Sequence, residues 1–280
     1  MHAIPAWGRW VPLSLTVLLT AVLGACAGAP APKADAALLR EMASTGKLRA
    51  GIAVGAVSSP TWSVRDPATG QPRGVAVDLA TALAAQLGVP LELKPYASTG
   101  EITAAGPKGE WDVGFMPMDA TRAAILDFGP AYFLVESTYL VKASSGIMTL
   151  ADVDKPGVRV AGVTGTTTAR SAARSLKNVK LIEYRTSDEL IASIRDGQAD
   201  AIALGRESLV DLANKQLPGS RVLPGYYQAT GVAITVPKGH AAALRYVTEF
   251  MEKAKADGTV RRALDKFGLP DAAVAPPMQR

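Results

Sequence analysis

Arg122 is the residue of this chain best placed by type and position to do chemistry. It lies just past the apolar run Val113 to Met116, in a polar turn leading into a short helix, ahead of an extended apolar exit through Asp127 and Phe128. A guanidinium offers paired N–H donors in a fixed fork, and backbone N–H groups at a helix start add to the positive field. A carboxylate is therefore its natural partner, although a lone arginine at a helix start can equally be a solvated surface residue. Gly165-Thr166-Thr167 is a second anion-seeking feature. It opens a helix whose free N–H groups and dipole attract anions and whose threonine hydroxyls add donors, with a plain capped helix as the alternative. Trp62, in the loop Ser59-Pro-Thr-Trp-Ser63, either covers a ligand or lids the core, because an exposed tryptophan is costly otherwise. Asp78 reads as a helix cap.

No catalytic set competes with these. His2 and His240 are the only histidines and Cys26 the only cysteine, so no metal site and no intramolecular disulfide are expected. There is no G-x-S-x-G, no P-loop and no dinucleotide fingerprint, and no cofactor is expected. Lys94-Pro-Tyr96 and the pair Met116 and Met118 read as strand edge and core packing.

The elements that carry these residues are legible in the pattern. A chain of 280 residues suits one large or two medium lobes, and 48% hydrophobic against 20% charged residues describes a globular core. Scattered basic residues with few aromatics make a nucleic-acid face an unsuitable reading. Leu48 to Val54 reads as a buried strand, Val77 to Leu87 as a helix ended by Gly88, and Leu91 to Leu93 as the start of a strand. Arg65 to Gly70 is a turn. A second run alternates strand and helix: Val158 to Val163, a helix to about Leu176, Val179 to Tyr184, and a helix from the capping box Thr186-Ser-Asp-Glu189 to Gly197. Asp200 to Leu204, Arg206 to Lys215 and Arg221 to Leu223 continue it. This alternation implies a mainly parallel α/β sheet. Gly231 to Val236 and two amphipathic helices close the chain.

The amino terminus reads as a leader. Arg9 precedes the apolar run Val11 to Leu23, which is shorter than the ~20 residues that span a bilayer and so reads as a signal peptide. Leu23-Gly24-Ala25-Cys26 matches the lipobox of bacterial lipoproteins, which makes Cys26 the lipidated residue and the membrane surface a partner. Ala27 to Ala34 is a small-residue linker.

The run from Trp111 to Tyr132 resembles the family 3 extracellular solute-binding proteins, the amino-acid receptors of bacterial ABC importers. Asp112, Arg122, Asp127 and Phe128 fall on its pattern, Glu110 stands at the family glycine, and Ala131 separates Pro130 from Tyr132. Gly74-Val-Ala-Val-Asp-Leu-Ala80, Gly165-Thr166-Thr167, Gly231 to Gly239 and Asp257-Gly258-Thr259 extend the resemblance over Leu48 to Gly268. It implies a two-lobe periplasmic-binding-protein fold of type II, each lobe a mainly parallel sheet flanked by helices and joined by two hinge strands. The expected boundaries are 1–25 signal peptide, 26–44 anchored linker and short helix, 45–140 lobe 1, 141–230 lobe 2, 231–270 return to lobe 1 and 271–280 tail. Hinges are expected near Tyr139–Ala143 and Tyr227–Gly231. The resemblance also implies a periplasmic, monomeric protein that hands a small carboxylate or amino acid to a membrane permease. Arg122 with Gly165, Thr166 and Thr167 would take the carboxylate, and Trp62 would stack on the ligand.

This chain departs from the family where the ligand's ammonium is held. The usual aspartate, five residues past the pair equivalent to Asp200-Ala201, is Gly205, followed by Arg206, and Phe115 and Pro117 replace small residues before the arginine. Glu136 at the lobe junction and Asp119 in the binding turn are the substitutes; otherwise the ligand has no α-amino group. A cyclohexadienyl dehydratase-like enzyme on the same fold is the alternative, with Glu136 or Glu183 as its acid.

Overall fold

A computed structural model describes residue 2, residues 35–270 and residues 272–278. Residue 2 apart, the leader, Cys26 and the linker up to residue 34 lie outside the described residues. In chain order the elements begin with α1 (Ala36–Met42), β1 (Leu48–Ala53), a hairpin of β2 (Val64–Arg65) and β3 (Pro72–Arg73), α2 (Val75–Leu87) and β4 (Leu91–Tyr96). Next come α3 (Thr99–Ala105), β5 (Val113–Pro117), α4 (Ala120–Ala123), β6 (Leu126–Lys142) and α5 (Leu150–Val153). The second α/β run follows as β7 (Val160–Val163), α6 (Thr167–Ser175), β8 (Leu181–Tyr184), α7 (Ser187–Arg195), β9 (Ala201–Gly205), α8 (Arg206–Lys215) and β10 (Ser220–Val222). The chain closes with β11 (Gln228–Pro237), α9 (Ala241–Ala256) and α10 (Thr259–Lys266).

Two parallel triplets, β4-β1-β5 and β8-β7-β9, are the sheets of the two lobes; antiparallel β11 and β6 join them edge to edge. Strand β6 pairs with β11 from Leu126 to Ser137 and with β9 from Ser137 to Val141. Ser137 is thus the residue at which β6 passes from β11 to β9. One hydrophobic core packs β1, β5 and β11 against α2, α9 and α10. On α2 the stripe Leu79, Leu83 and Leu87 faces it, each fully buried leucine contributing roughly 1.5–3 kcal/mol, and Gly88 ends the helix in a left-handed turn. Two smaller cores lie on either side of β7 and β9.

The two lobes repeat one electrostatic clasp. Arg49, at the start of β1, gives its backbone N–H (2.8 Å) and Nε (3.1 Å) to Asp112 Oδ2, Nη2 to Asp112 Oδ1 (2.6 Å) and Nη1 to the Gly109 carbonyl (2.8 Å). Arg159, next to β7, binds Asp200 in the same fork and the Gly197 carbonyl at 2.6 Å. Both glycines have positive φ, three residues before the aspartate. The turn glycine before Asp112 is therefore Gly109, one residue ahead of Glu110. The bidentate geometry accounts for why arginine and aspartate hold these positions.

The last described segment is docked: Val274 bridges Phe133 on β6, and Ala275 donates to the Tyr132 carbonyl at 3.0 Å. Among the described residues no helix is long and apolar enough to cross a membrane.

Candidate functional site

Strand β5 ends at Pro117, and the turn behind it is fixed by Asp119, whose Oδ1 accepts the backbone N–H of Arg122 at 2.9 Å and caps α4. That cap turns the Arg122 side chain inward, where it is wholly buried. Nη1 donates to the Pro117 carbonyl (2.8 Å); Nη2 donates to Thr99 Oγ1 (2.9 Å) and, across the lobes, toward the Gly165 carbonyl (3.4 Å). Nε is buried and has no protein partner. Burial, then the nearby Arg170 charge, lowers the guanidinium to about 9, against the pull of Asp119. It remains a cation at neutral pH, held by neutral oxygens. The expectation of a solvated surface arginine fails here, because the cap and the Pro117 carbonyl draw the side chain in.

Beside it, between the lobes, lies a small cavity of about 60 Å³. The first lobe contributes Ala53, Ser58, Trp62, Thr99 and Pro117; the second contributes Thr166, Thr167, Thr168, Ser187, Gly205 and Ser208. Thr166 caps α6 by accepting from Ala169 N–H at 3.2 Å, so the first turn of the helix, with N–H groups that lack intrahelical acceptors, opens at the cavity. Ser187 Oγ is buried there with no protein partner. Trp62 lies on the cavity wall because its loop is clamped to α2: Ala76 N–H donates to the Trp62 carbonyl at 3.0 Å. A Cβ on Gly74 would stand 2.6 Å from that carbonyl, at a φ of +144°, which is why the motif needs glycine.

The structure therefore gathers Trp62, Thr166 and Thr167 on the cavity, with Gly165 and Arg122 immediately behind its wall. It places two other expected residues differently. Asp119 Oδ2 accepts from Thr167 Oγ1 (2.5 Å) and from Arg170 Nη2, so its oxygens are engaged. Burial pushes this carboxyl up, but those bonds and Arg122 hold it below the usual carboxylate range. Glu136 lies outside this cavity; it accepts from Arg206 Nε at 2.8 Å and lines a separate cavity with Tyr226. Glu183 is exposed on β8. A Cβ at Gly205 would come within 2.7 Å of Val135 Cγ2, so an aspartate there would require that valine to shift. Asp78, expected as a cap, instead sits inside the first turn of α2 and pairs with Lys266 at 2.7 Å. Among the described residues no cluster of metal-ligating side chains forms.

Sequence reasoning passed over several contributors, among them Arg170, Ser187 and, last, the whole of α3, which brings Thr99. The last had a readable signal. Ser98 accepts from Glu101 N–H at 3.2 Å, and Glu101 reaches back to Ala97 N–H at 2.9 Å, a serine–glutamate start visible as Ser98-Thr-Gly-Glu101.

Two lobes closing on a cleft, with an arginine and a helix start at their junction, define a solute-binding fold, and the sequence comparisons agree. The profile of the bacterial extracellular solute-binding proteins, family 3, matches residues 52–270, and the chain belongs to that family. The glutamine-binding protein of Geobacillus stearothermophilus is 28% identical over 235 residues, covering 78% of this chain and 87% of the relative. A solved ancestral amino-acid-binding protein, described as a precursor of cyclohexadienyl dehydratase, is 28% identical with a TM-score of 0.70, covering 82% and 98% of the two chains. The L-cysteine solute receptor of Neisseria gonorrhoeae shares the fold at a TM-score of 0.75 and 23% identity, covering 86% and 99% of the two chains.

Proposed function

We propose that this chain is the lipid-anchored, periplasmic substrate-binding component of an ABC importer and that it captures a small carboxylate by lobe closure. In this reading 45–140 and 231–270 form lobe 1, 141–230 forms lobe 2, and Cys26 carries the acyl chains; mass spectrometry finding an unacylated wild-type amino terminus overturns the anchor. The observation that supports capture of an anion is the buried Arg122 cation, its Nε unpartnered, directly behind a cavity that the first turn of α6 opens into. The carboxylate lies against Thr166 to Thr168, with Arg122 supplying charge from behind Thr99 and Trp62 covering the ligand.

The ligand favoured by this site is an acid without an α-ammonium group. No acidic side chain lines the cavity among the described residues, Gly205 itself carries no carboxylate, and Asp119 and Glu136 are each bonded to an arginine. An amino acid is the second reading, favoured by the glutamine-binding relative. The protein works as a receptor and not as a dehydratase, since neither Glu136 nor Glu183 reaches the cavity.

A thermal-shift screen of amino acids, keto acids, hydroxy acids and aromatic acids tests this, because a ligand raises the melting temperature by mass action. Acids lacking the amino group are expected among the hits; hits confined to amino acids would reverse the preference, and none at all would remove the receptor reading. Calorimetry with the best hit then compares Arg122→Ala. Losing a buried charged partner costs about 2–5 kcal/mol, so affinity falls roughly 30-fold to several thousandfold. Unchanged affinity overturns the role of Arg122, and turnover of the hit brings the enzyme reading forward.

A further inference from the structure

We infer that Asp119 and Arg170 form a latch that holds the two lobes closed, so that Arg170 acts as a positioning residue for closure without touching ligand. Asp119 belongs to the turn after β5 in the first lobe. Its side chain is 8% exposed, and its Oδ2 accepts from Thr167 Oγ1 and Arg170 Nη2, both on α6 of the second lobe. Arg122 Nη2 reaches the Gly165 carbonyl of the same lobe from beside it. The remaining interlobe side-chain bond to the loop after β1 is a single neutral contact, Gln216 Nε2 to the Ala56 carbonyl at 3.2 Å.

Location distinguishes this pair from the other ion pair near the junction. Arg206 and Glu136 meet at the hinge, one residue from the Ser137 crossover, where a rotation moves partners least. Asp119 and Arg170 meet at the cleft, where opening must separate them.

A buried ion pair stabilises an arrangement only when its geometry repays the desolvation of both charges. Here one carboxylate collects Arg122 N–H, the Thr167 hydroxyl and the Arg170 guanidinium, three donors set against the burial of the charge. The backbones are cut to fit the same contact. A Cβ on Gly100, at the start of α3, would stand 3.0 Å from the Thr164 carbonyl oxygen and 3.2 Å from the Gly165 carbonyl, so a side chain there would press the lobes apart by a few tenths of an ångström.

The test needs no ligand, so it can fail or succeed apart from the receptor reading. Small-angle scattering of the full mature chain alone is compared for wild type, Asp119→Asn, Arg170→Gln, Arg170→Lys and the double variant Asp119→Asn/Arg170→Gln. Asparagine keeps the helix cap, and position 170 is outside the core, so melting temperatures should stay close to wild type. The expected result is a larger radius of gyration in Arg170→Gln and Asp119→Asn, corresponding to a roughly tenfold or greater loss in the closed-to-open ratio. Arg170→Lys should recover part of the compactness, and the double variant should open no further than either single one. An Arg170→Gln protein as compact as wild type overturns the latch. So does a lysine variant as open as the glutamine one, or additive opening in the double variant.

Discussion

Glu207, on the first turn of α8, carries a carboxylate oxygen that is buried with no hydrogen-bond partner. Burial raises its pKa; its own backbone N–H opposes this, the neighbouring Glu136 charge adds to it and Arg206 opposes it. A carboxyl raised on folding binds its proton more tightly in the folded chain, so its protonated form favours folding at low pH. That advantage is lost as pH rises from the ordinary glutamate range through the raised value. Glu207→Gln should therefore stabilise the protein at pH 7–8 by about 1–2 kcal/mol, or roughly 2–8 °C in melting temperature, with the gain vanishing below about pH 4. Calorimetric melting of both proteins across that range checks it; an equal gain at every pH would assign the effect to packing.

Arg122 marks how far single residues were legible. Its type and its place after a strand suggested an anion partner; the structure buries it behind the cavity wall, against Thr99, Pro117 and Gly165. Its complete burial was not legible, because burial follows from the Pro117 carbonyl and from a loop 43 residues away. The same contacts mean that Arg122→Ala should lower the melting temperature as well as affinity. Arg170 was passed over for the complementary reason: an arginine in the second turn of a helix has the same local pattern whether it meets water or Asp119.

At the scale of elements, periodicity located nearly every strand and helix, and the capping box at Thr186 is present as read. Helix α3 was missed because seven residues with Gly100 inside carry too little apolar pattern to outweigh their loop-like composition, although the capping pair was there. That glycine has a testable consequence. Gly100→Ala suits the helix by propensity, so its thermal stability should hold or rise slightly, by up to about 1 kcal/mol. Yet the added methyl meets backbone of the other lobe, which cannot rotate away. Affinity for the best acid found in the screen should fall at least about tenfold while melting temperature does not, since losing full closure forfeits contacts made only in the closed form. Calorimetric titration beside a melting curve decides it; unchanged affinity would show that the lobes need not meet at Gly100.

For the whole molecule, the two-lobe architecture was legible from the order of elements and from motifs spread over the chain. The point at Ser137 where β6 leaves β11 for β9 was not legible, because pairing and not composition decides it. The two arginine–aspartate clasps were invisible as a repeat: Arg49 and Asp112 stand 63 residues apart, Arg159 and Asp200 only 41. Each partner alone looks like any surface charge.

The return of the chain into the first lobe sets an order of assembly. Strands β7, β8, β9 and β10 and their helices come from one unbroken stretch, whereas β5 must wait for β11, and the first core waits for α9 and α10. A chain emerging amino terminus first can thus complete its second lobe while β5 still presents an unpaired edge. That edge, Val113 to Pro117, is buried and apolar in the finished fold, the kind of strand that seeks another chain when left open. Loss of the last fifty residues would therefore leave a sound second lobe tethered to an adhesive fragment, which makes the carboxyl terminus the segment on which safe delivery of the whole polypeptide depends.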